Sequence, residues 1–174
     1  MVSSFMSVSL YSPAPFPSNE ARRNAAVRSS GLLERVRDER LTRICHDART
    51  HVGGGWAGIA LILEDAQLVI ASTGENIGRH SRAASMSAYA ILEPDMVFCV
   101  SDTQSDDRFL SNPFVRVGLI RYFVAAVICD HAGYALGTLC VSRRSPASHV
   151  KADVADWLRR LAQRVAAEGA NKQT

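Results

Sequence analysis

The sequence predicts an α+β domain in which a central antiparallel sheet of about five to six strands is flanked by N- and C-terminal helices. Three observations predict it. Apolar residues recur with helical spacing near both ends of the chain, whereas short β-prone runs fill the middle. Two pairs of these runs are joined by short turns, which favours antiparallel pairing. At 174 residues, 47% hydrophobic and 21% charged, the chain has the size and composition of one globular domain.

The first predicted helical region covers about Asn19 to Arg49, where apolar residues recur every three to five positions and charged residues fill the opposite face. The three glycines 53–55 end it, because glycine adopts non-helical conformations without a steric penalty. Residues 56–63 and 67–72 are then predicted to form a hairpin around the turn at 64–66.

The second half of the chain is predicted to hold one more helix, three strands and a final amphipathic helix. Pro94 ends the helix of this region, because proline cannot continue the helical hydrogen bonds. Ser148 is the expected N-cap of the final amphipathic helix. The predicted bounds are 83–92 for the helix, 96–101, 122–129 and 134–142 for the strands, and about 150–165 for the final helix.

Three segments are distinguished along the chain. Residues 1–18, punctuated by prolines, are predicted to be disordered, residues 19–168 to form a single domain and residues 169–174 to be a disordered tail. The start lacks the cationic region and apolar run of a targeting signal, and no apolar run approaches the ~20 residues that span a bilayer. The four cysteines form no CxxC pair, and each lies beside apolar residues, which is typical of buried free thiols in a reducing compartment. We therefore expect a cytoplasmic protein without a membrane partner.

Catalytic and nucleic-acid-binding patterns are weak in this sequence. The formal charge of +3 comes mainly from arginines spread along the chain, so nucleic acid is not an expected partner. The glycines 53–55 lack the following Lys-Ser/Thr of a phosphate loop. Cys129-Asp130-His131 offers two metal ligands, fewer than a zinc site needs. We expect no metal and no catalytic residue.

Several motifs in the second half match one family. Residues 102–113, which read DTQSDDRFLSNP, match the pattern D-x-x-x-D-x-R-F-x-x-N-P. Residues 120–123, which read IRYF, resemble its I-R-F-Y strand, and residues 133–141 match its G-x-x-L-G-T-L-C-V strand. Residues 87–92 lie where many members read C-A-H-A-I-L. Over about residues 30–168 the chain therefore resembles the GAF domains. The resemblance implies a GAF/PAS-like sheet and a sensory or regulatory module that binds a small molecule on one face of that sheet.

Two departures from the family pattern bear on the ligand. Ser87 and Tyr89 stand where the family often has cysteine and histidine, and Ser142-Arg143-Arg144 replaces an acidic residue that often follows the last strand. Because Ser87 has no sulfur for a thioether, no covalent bilin is expected, and the cofactor is an unknown small ligand held without a covalent bond.

The candidate ligand-binding residues each carry a plainer alternative. Asp102 and Arg108 either position a ligand or cap and pin their own loop, with Phe109 as its buried anchor. Arg121 either grips an anion with its guanidinium or pairs with Asp102 or Asp130.

Hydroxyls of the strands and the central helix either converge on a pocket beside two cysteines or belong to a sheet face filled with side chains. The predicted set is Ser87, Tyr89, Cys99, Asp102, Arg108, Phe109, Arg121, Phe123, Thr138 and Cys140.

Three functions follow from these observations. The first is a small-molecule-binding regulatory domain that forms a homodimer through the apolar stripes of its N- and C-terminal helices, including Trp157 and Leu161, and signals to a separate protein. The second is a ligand-free protein-interaction or dimerisation module. The third is a thiol-dependent enzyme similar to methionine sulfoxide reductases, with Cys99 and Cys140 as the reactive thiols. We expect the chain not to be an enzyme.

Overall fold

Six strands form one antiparallel sheet in the computed structural model, which describes residues 11–171. The strand order is β3-β2-β1-β6-β5-β4. The α+β prediction and its sheet of about five to six strands are therefore confirmed. The bounds of the strands are β1 Trp56–Ile62, β2 Ala66–Ser72, β3 Gly78–Ser81, β4 Phe98–Val100, β5 Tyr122–Cys129 and β6 Ala135–Arg143; those of the helices are α1 Glu20–Ser29, α2 Glu39–Val52, α3 Ser87–Ala90, α4 Pro113–Arg116 and α5 Ala152–Ala170.

The predicted N-terminal helical region is two helices, so its prediction as one continuous segment is wrong. The chain turns between α1 and α2, where Gly31 has a φ of +73°. A Cβ on Gly31 would lie 2.5 Å from the carbonyl oxygen of Gly169 in α5, so this turn packs tightly against the last helix. Asp38 then caps α2 by accepting hydrogen bonds from two backbone N–H groups, and Gly53, at a φ of 72°, ends it as predicted.

Three further elements differ from the sequence prediction. Residues 83–92 form a 3₁₀ turn, Arg82–Ala84, and the single helical turn α3 instead of one helix. Strand β3 was not predicted, because its four residues carry no alternating apolar pattern and lie half exposed at the sheet edge. Helix α5 begins after Lys151, which makes no side-chain cap, so the predicted Ser148 cap is wrong.

The sheet separates two apolar clusters, because successive side chains of a strand point to opposite faces. One face packs against α2 and α5 and carries the larger core, whose central members are Ile59, Leu61, Val124, Leu139, Leu158 and Leu161. The other face is covered by the chain between β3 and β5, and its smaller cluster includes Met86, Val100, Phe109, Val115 and Phe123.

The apolar stripe of α5 is used inside the protomer. Leu161 is 3% exposed in the main core, and the ring of Trp157 stacks on His51 with a centroid distance of 3.9 Å. Substituting charged residues for Leu161 and Trp157 would therefore destabilise the protomer itself, so it would not test a dimer contact. Within residues 11–171, no helix combines the length and apolarity required to cross a membrane.

The segment before α1 lies against the domain where it is described. Tyr11 packs on the smaller cluster, and the carbonyl oxygen of Ser12 accepts a hydrogen bond from the Tyr89 hydroxyl at 2.5 Å. Residues 1–10 and 172–174 lie outside the described residues, so the disorder predicted for them stays a prediction.

Candidate ligand-binding site

A cavity of about 830 Å³ opens on the sheet face that is turned away from α2 and α5. Strands β1, β2, β5 and β6 supply its floor, and the chain from Ala84 to Ser87 supplies one wall. Phe114, Leu119 and Ile120 form another wall, while the glycines 53–55 border one end. A cavity of this size is within the usual range for a small ligand.

Small residues on two strands make room for the cavity. The indole of Trp56 lies across β1 because Gly58 has no side chain, and a Cβ there would lie 2.3 Å from Cη2 of the indole. Cys140 of β6 pairs with Gly58, and its thiol donates to the Gly58 carbonyl oxygen at 3.5 Å. Bulkier side chains at these positions would fill the space above the sheet.

Polar side chains line the cavity near β2 and β3. The Ser85 hydroxyl donates to Oε1 of Gln67 at 2.5 Å, so wall and floor are joined by a hydrogen bond. Nε2 of His80 lies 2.8 Å from the carbonyl oxygen of Asn76. These side chains are held in place by the protein and offer hydrogen bonds to a ligand.

Two arginines border the end of the cavity beside the glycines 53–55. Arg143 donates from Nη2 to the Val52 carbonyl oxygen, and its guanidinium lies 5.1 Å from the ring centroid of Tyr122. Arg144, the next residue, is exposed. The Arg143 guanidinium lies on the sheet face that packs against α2 and α5, because Tyr122 belongs to the main core. No aspartate or glutamate is among the described residues that line the cavity.

Three of the predicted site residues line this cavity. They are Ser87, Phe123 and Cys140. Thr138 lies behind Ser87 and donates a hydrogen bond to its hydroxyl at 2.8 Å. Burial raises the pKa of the Cys140 thiol to about 11, although hydrogen bonds from the two neighbouring hydroxyls oppose the rise. A thiol with such a pKa is almost wholly protonated at neutral pH.

The charged residues of the predicted set form ion pairs and do not line the cavity. Asp102 accepts two hydrogen bonds from Arg121, at 2.8 and 2.7 Å, and also caps the turn after β4 through the N–H of Gln104. Arg108 pairs in the same way with Asp106, its shortest contact being 2.6 Å. These are the structural roles that the sequence left open beside ligand binding.

Phe109 and Tyr89, two aromatic residues of the predicted set, pack together outside the cavity. Phe109 is fully buried, and its ring meets those of Tyr89 and Phe98 edge to face at 5.1 and 6.2 Å. Cys99 lies on the opposite face of the sheet, where its sulfur is 3.8 Å from the Tyr122 hydroxyl. The structure therefore does not bring Cys99 together with Cys140.

Sequence reasoning missed several residues that line the cavity. They are Trp56, Gln67, His80, Arg143 and Arg144. The signal for Gln67 was a polar residue in an otherwise apolar strand. The two arginines were visible only as a departure from the family pattern. Within residues 11–171, no cluster of three histidine, cysteine or carboxylate side chains is placed to hold a metal ion.

One relative at the sequence level is a cyclic di-GMP phosphodiesterase. The chain is 37% identical over 133 residues to the cyclic di-GMP phosphodiesterase PA2567 of Pseudomonas aeruginosa, and the match covers 76% of this chain. It covers 22% of the relative, so this chain spans about a fifth of that protein's length.

Solved structures with 13% sequence identity share the fold. The GAF domain of a phosphoenolpyruvate-protein phosphotransferase from Coxiella burnetii matches with a TM-score of 0.65 over 89% of this chain and 95% of its own. A type II free methionine-R-sulfoxide reductase from Thermoplasma acidophilum matches with a TM-score of 0.62 over 82% of this chain and 96% of its own. The GAF domain family model matches residues 36–168. By sequence motifs, sheet topology and family match, the chain belongs to the GAF domain family.

Proposed function

We propose that this chain is a regulatory GAF domain that binds a small molecule without a covalent bond and passes the binding event to a partner. The observation that carries the proposal is the cavity of about 830 Å³ on the face opposite the main helices. Its mixed lining of apolar walls and a few fixed polar groups is typical of small-ligand sites. A ligand-free module, by contrast, is expected to fill this sheet face with side chains.

The route from the cavity to the N-terminal helix is short. Ser85 lies in the cavity wall, and its hydroxyl donates a hydrogen bond to the Gln67 side chain in the cavity floor. Three residues earlier, Arg82 donates to the carboxylate of Glu20 at 2.5 Å, and Glu20 is the first residue of α1. A ligand that forms a hydrogen bond with Gln67 in place of Ser85 favours a different position of the chain around Ser85. The Arg82–Glu20 ion pair couples that change to the position of α1.

A homodimer remains part of the proposal, with a contact different from the one that the sequence predicts. Because the apolar stripe of α5 packs on its own sheet, the dimer contact uses the polar outer face of that helix, where Arg160 and Arg164 are exposed. Light scattering is expected to give twice the chain mass of 18.9 kDa. Arg160→Glu combined with Arg164→Glu is expected to halve it; an unchanged dimer mass would exclude this face.

The proposed output is cyclic di-GMP turnover by a partner enzyme or domain. The support is the name of the relative in Pseudomonas aeruginosa, a cyclic di-GMP phosphodiesterase of which this chain matches about a fifth. Within this chain we propose regulation and not catalysis. The buried thiol of Cys140 and its distance from Cys99 across the sheet argue against the thiol-enzyme alternative.

Native mass spectrometry and an absorbance spectrum of the freshly purified protein test the proposal directly. A mass above that of the chain identifies a co-purified ligand. Ser142→Trp, which places an indole in the cavity, is expected to abolish the added mass, while Ser148→Trp on the exposed chain before α5 serves as its matched control. A ligand that stays bound to the Ser142→Trp variant, or a bare chain that binds nothing in a metabolite library, would overturn the proposal.

A second candidate is the protein-interaction module. Four large apolar residues between Phe109 and Ile120 are exposed, an uncommon concentration for one short segment. They are Leu110 at 47%, Phe114 at 36%, Val117 at 69% and Leu119 at 40%. This reading gains support when Val117→Ser abolishes binding to a partner while the Ser142→Trp variant retains it.

A further inference from the structure

Residues 109–120, the segment around α4, bury one side and expose the other. Phe109 and Val115 are 0% and 4% exposed and belong to the smaller apolar cluster. Apolar side chains gathered at one place on a surface usually mark a contact with another apolar surface. Four large apolar side chains on the outer side are exposed and form what we call the α4 patch: Leu110, Phe114, Val117 and Leu119.

The α4 patch is held together by the backbone of its own segment. The Leu119 N–H donates to the Phe114 carbonyl oxygen at 2.9 Å, and the Val117 N–H donates to the Pro113 carbonyl oxygen at 3.3 Å. Arg116 is the only charged residue of the segment. The patch is therefore one apolar surface with little charge around it.

The described chain begins beside this patch. Tyr11 packs on the smaller apolar cluster, and the Tyr89 hydroxyl donates to the Ser12 carbonyl oxygen. Burial raises the pKa of Tyr11, and the nearby Asn112 side chain opposes the rise. Asn112 is the N-cap of α4. The residues that precede Tyr11 therefore continue from a point next to the α4 patch.

Residues 1–10 have a sequence suited to this surface. They carry no charged side chain, and Met6, Val8 and Leu10 alternate with serines. In an extended chain this alternation places the three apolar side chains on one side. At about 3.3 Å per residue, residues 6–10 reach about 17 Å, whereas a four-residue helix such as α4 is about 6 Å long. The segment is therefore long enough to cross the patch.

We infer that residues 6–10 lie across the α4 patch, with the apolar side of this segment against it. Because the segment is tethered at Tyr11, its effective concentration at the patch is high, so a contact of few residues suffices. A separate partner has to displace the segment, which therefore inhibits binding at the patch. The inference does not depend on a ligand in the cavity.

Site-specific photo-crosslinking of the full chain tests the inference. Val117 is replaced with p-benzoylphenylalanine, and ultraviolet light is expected to link it to residues 6–10 of the same chain, in a product with the mass of one chain, 18.9 kDa. Peptide mass spectrometry locates the link. The same replacement at Val36 is the matched control, because Val36 is 42% exposed just before α2, which packs on the other face of the sheet. It is expected to give no link to residues 1–10.

Three serines remove the apolar side of the segment. Met6→Ser, Val8→Ser and Leu10→Ser together are expected to lower the yield of the Val117 link about tenfold, because the contact loses its buried apolar area. Alanines in place of the two serines at positions 7 and 9, on the other side of the segment, are expected to leave the yield unchanged.

The other occupants of the patch give different products, and each would overturn the inference. A link between two chains, at twice the mass, shows a second copy on the patch. A link to another protein and none to residues 6–10 shows a separate partner. No link, or an equal yield from the triple-serine variant, shows an uncovered patch, as the disorder predicted for residues 1–18 implies.

Hydrogen exchange gives a second measurement that needs no photo-crosslinking residue. The amides of residues 113–119 are expected to exchange faster in the triple-serine variant than in the wild type, because the segment no longer protects them. Equal exchange rates in the two proteins would contradict the inference, whether or not the Val117 replacement folds.

Discussion

Replacing Glu20 with glutamine tests the ion-pair cluster that ties α1 to the rest of the domain. The Glu20 carboxylate accepts from Arg23 at 2.8 Å, from Arg82 at 2.5 Å and from the Asn24 amide at 2.7 Å. Arg23 is 1% exposed and Arg82 6%. Glutamine keeps the size of the side chain but leaves two nearly buried guanidinium groups without their counter-charge.

The expected cost follows from that burial. Removing one partner of a buried ion pair costs about 3–5 kcal/mol, and the Glu20 side chain, 16% exposed, lies towards the lower end. The pKa gives a second route: burial would raise the pKa of Glu20, but hydrogen bonds and charge from Arg23 and Arg82 lower it from 4.5 to about 2. That lowering corresponds to about 3 kcal/mol before solvent screening reduces it. We expect a loss of about 2–3 kcal/mol in the free energy of unfolding.

Urea unfolding at pH 7, monitored by circular dichroism, measures this loss as a lower urea concentration at the midpoint, with an unchanged dependence of the unfolding free energy on urea. In thermal unfolding it corresponds to a fall in Tm of roughly 5–10 °C for a chain of this size. Asp65→Asn is the matched control, because the Asp65–Arg79 pair has a similar distance, 2.8 Å, but side chains that are 76% and 58% exposed. That control is expected to cost under about 1 kcal/mol. Equal losses for the two variants would refute the argument.

The same variant carries a pH dependence with a definite sign. Because the folded pKa of Glu20 lies below its ordinary value, the carboxylate stabilises the fold fully above about pH 5 and loses that contribution as the pH falls towards 2. The difference in stability between the wild type and Glu20→Gln is therefore expected to shrink between these limits. A difference that is the same at pH 7 and pH 3 would contradict the assigned cause.

Two further predictions concern the sheet and its thiols. Gly137→Ala places a Cβ 2.0 Å from the Ala60 carbonyl oxygen of the neighbouring strand, so it is expected to lower the free energy of unfolding in urea by about 2–4 kcal/mol. Gly55→Ala, whose Cβ would have no contact under 3.5 Å, is the control. Near-equal stabilities of the two variants would show that the strands can separate without loss of stability. With iodoacetamide at pH 7.5, Cys140 of the native protein is expected to stay unmodified while the partly exposed Cys99 is alkylated. Peptide mass spectrometry measures the alkylation of each thiol. Rapid alkylation of Cys140 would contradict this prediction and support the thiol-enzyme alternative.

The sequence alone determined the fold class because the signals for it are local. Short β-prone runs bounded by turns predicted β1, β2, β5 and β6 within about two residues of their observed bounds, and Gly53 ended α2 where predicted. The family motifs at 102–113 and 133–141 identified a GAF domain, which the family match confirmed. β-Prone runs, glycine stops and turn residues act over a few positions, so they are readable along the chain.

The tertiary structure decided which residues share the cavity. Ser87, Phe123 and Cys140 line it, whereas the Asp102–Arg121 pair holds a loop elsewhere, although the sequence treated all of these as one group. The sequence names a strand residue but does not fix which of its two faces remains open. That choice depends on what covers each face: α2 and α5 cover one, and the chain between β3 and β5 covers the other incompletely. The cavity is the space left by this incomplete cover, and it exists only once the distant segments have packed.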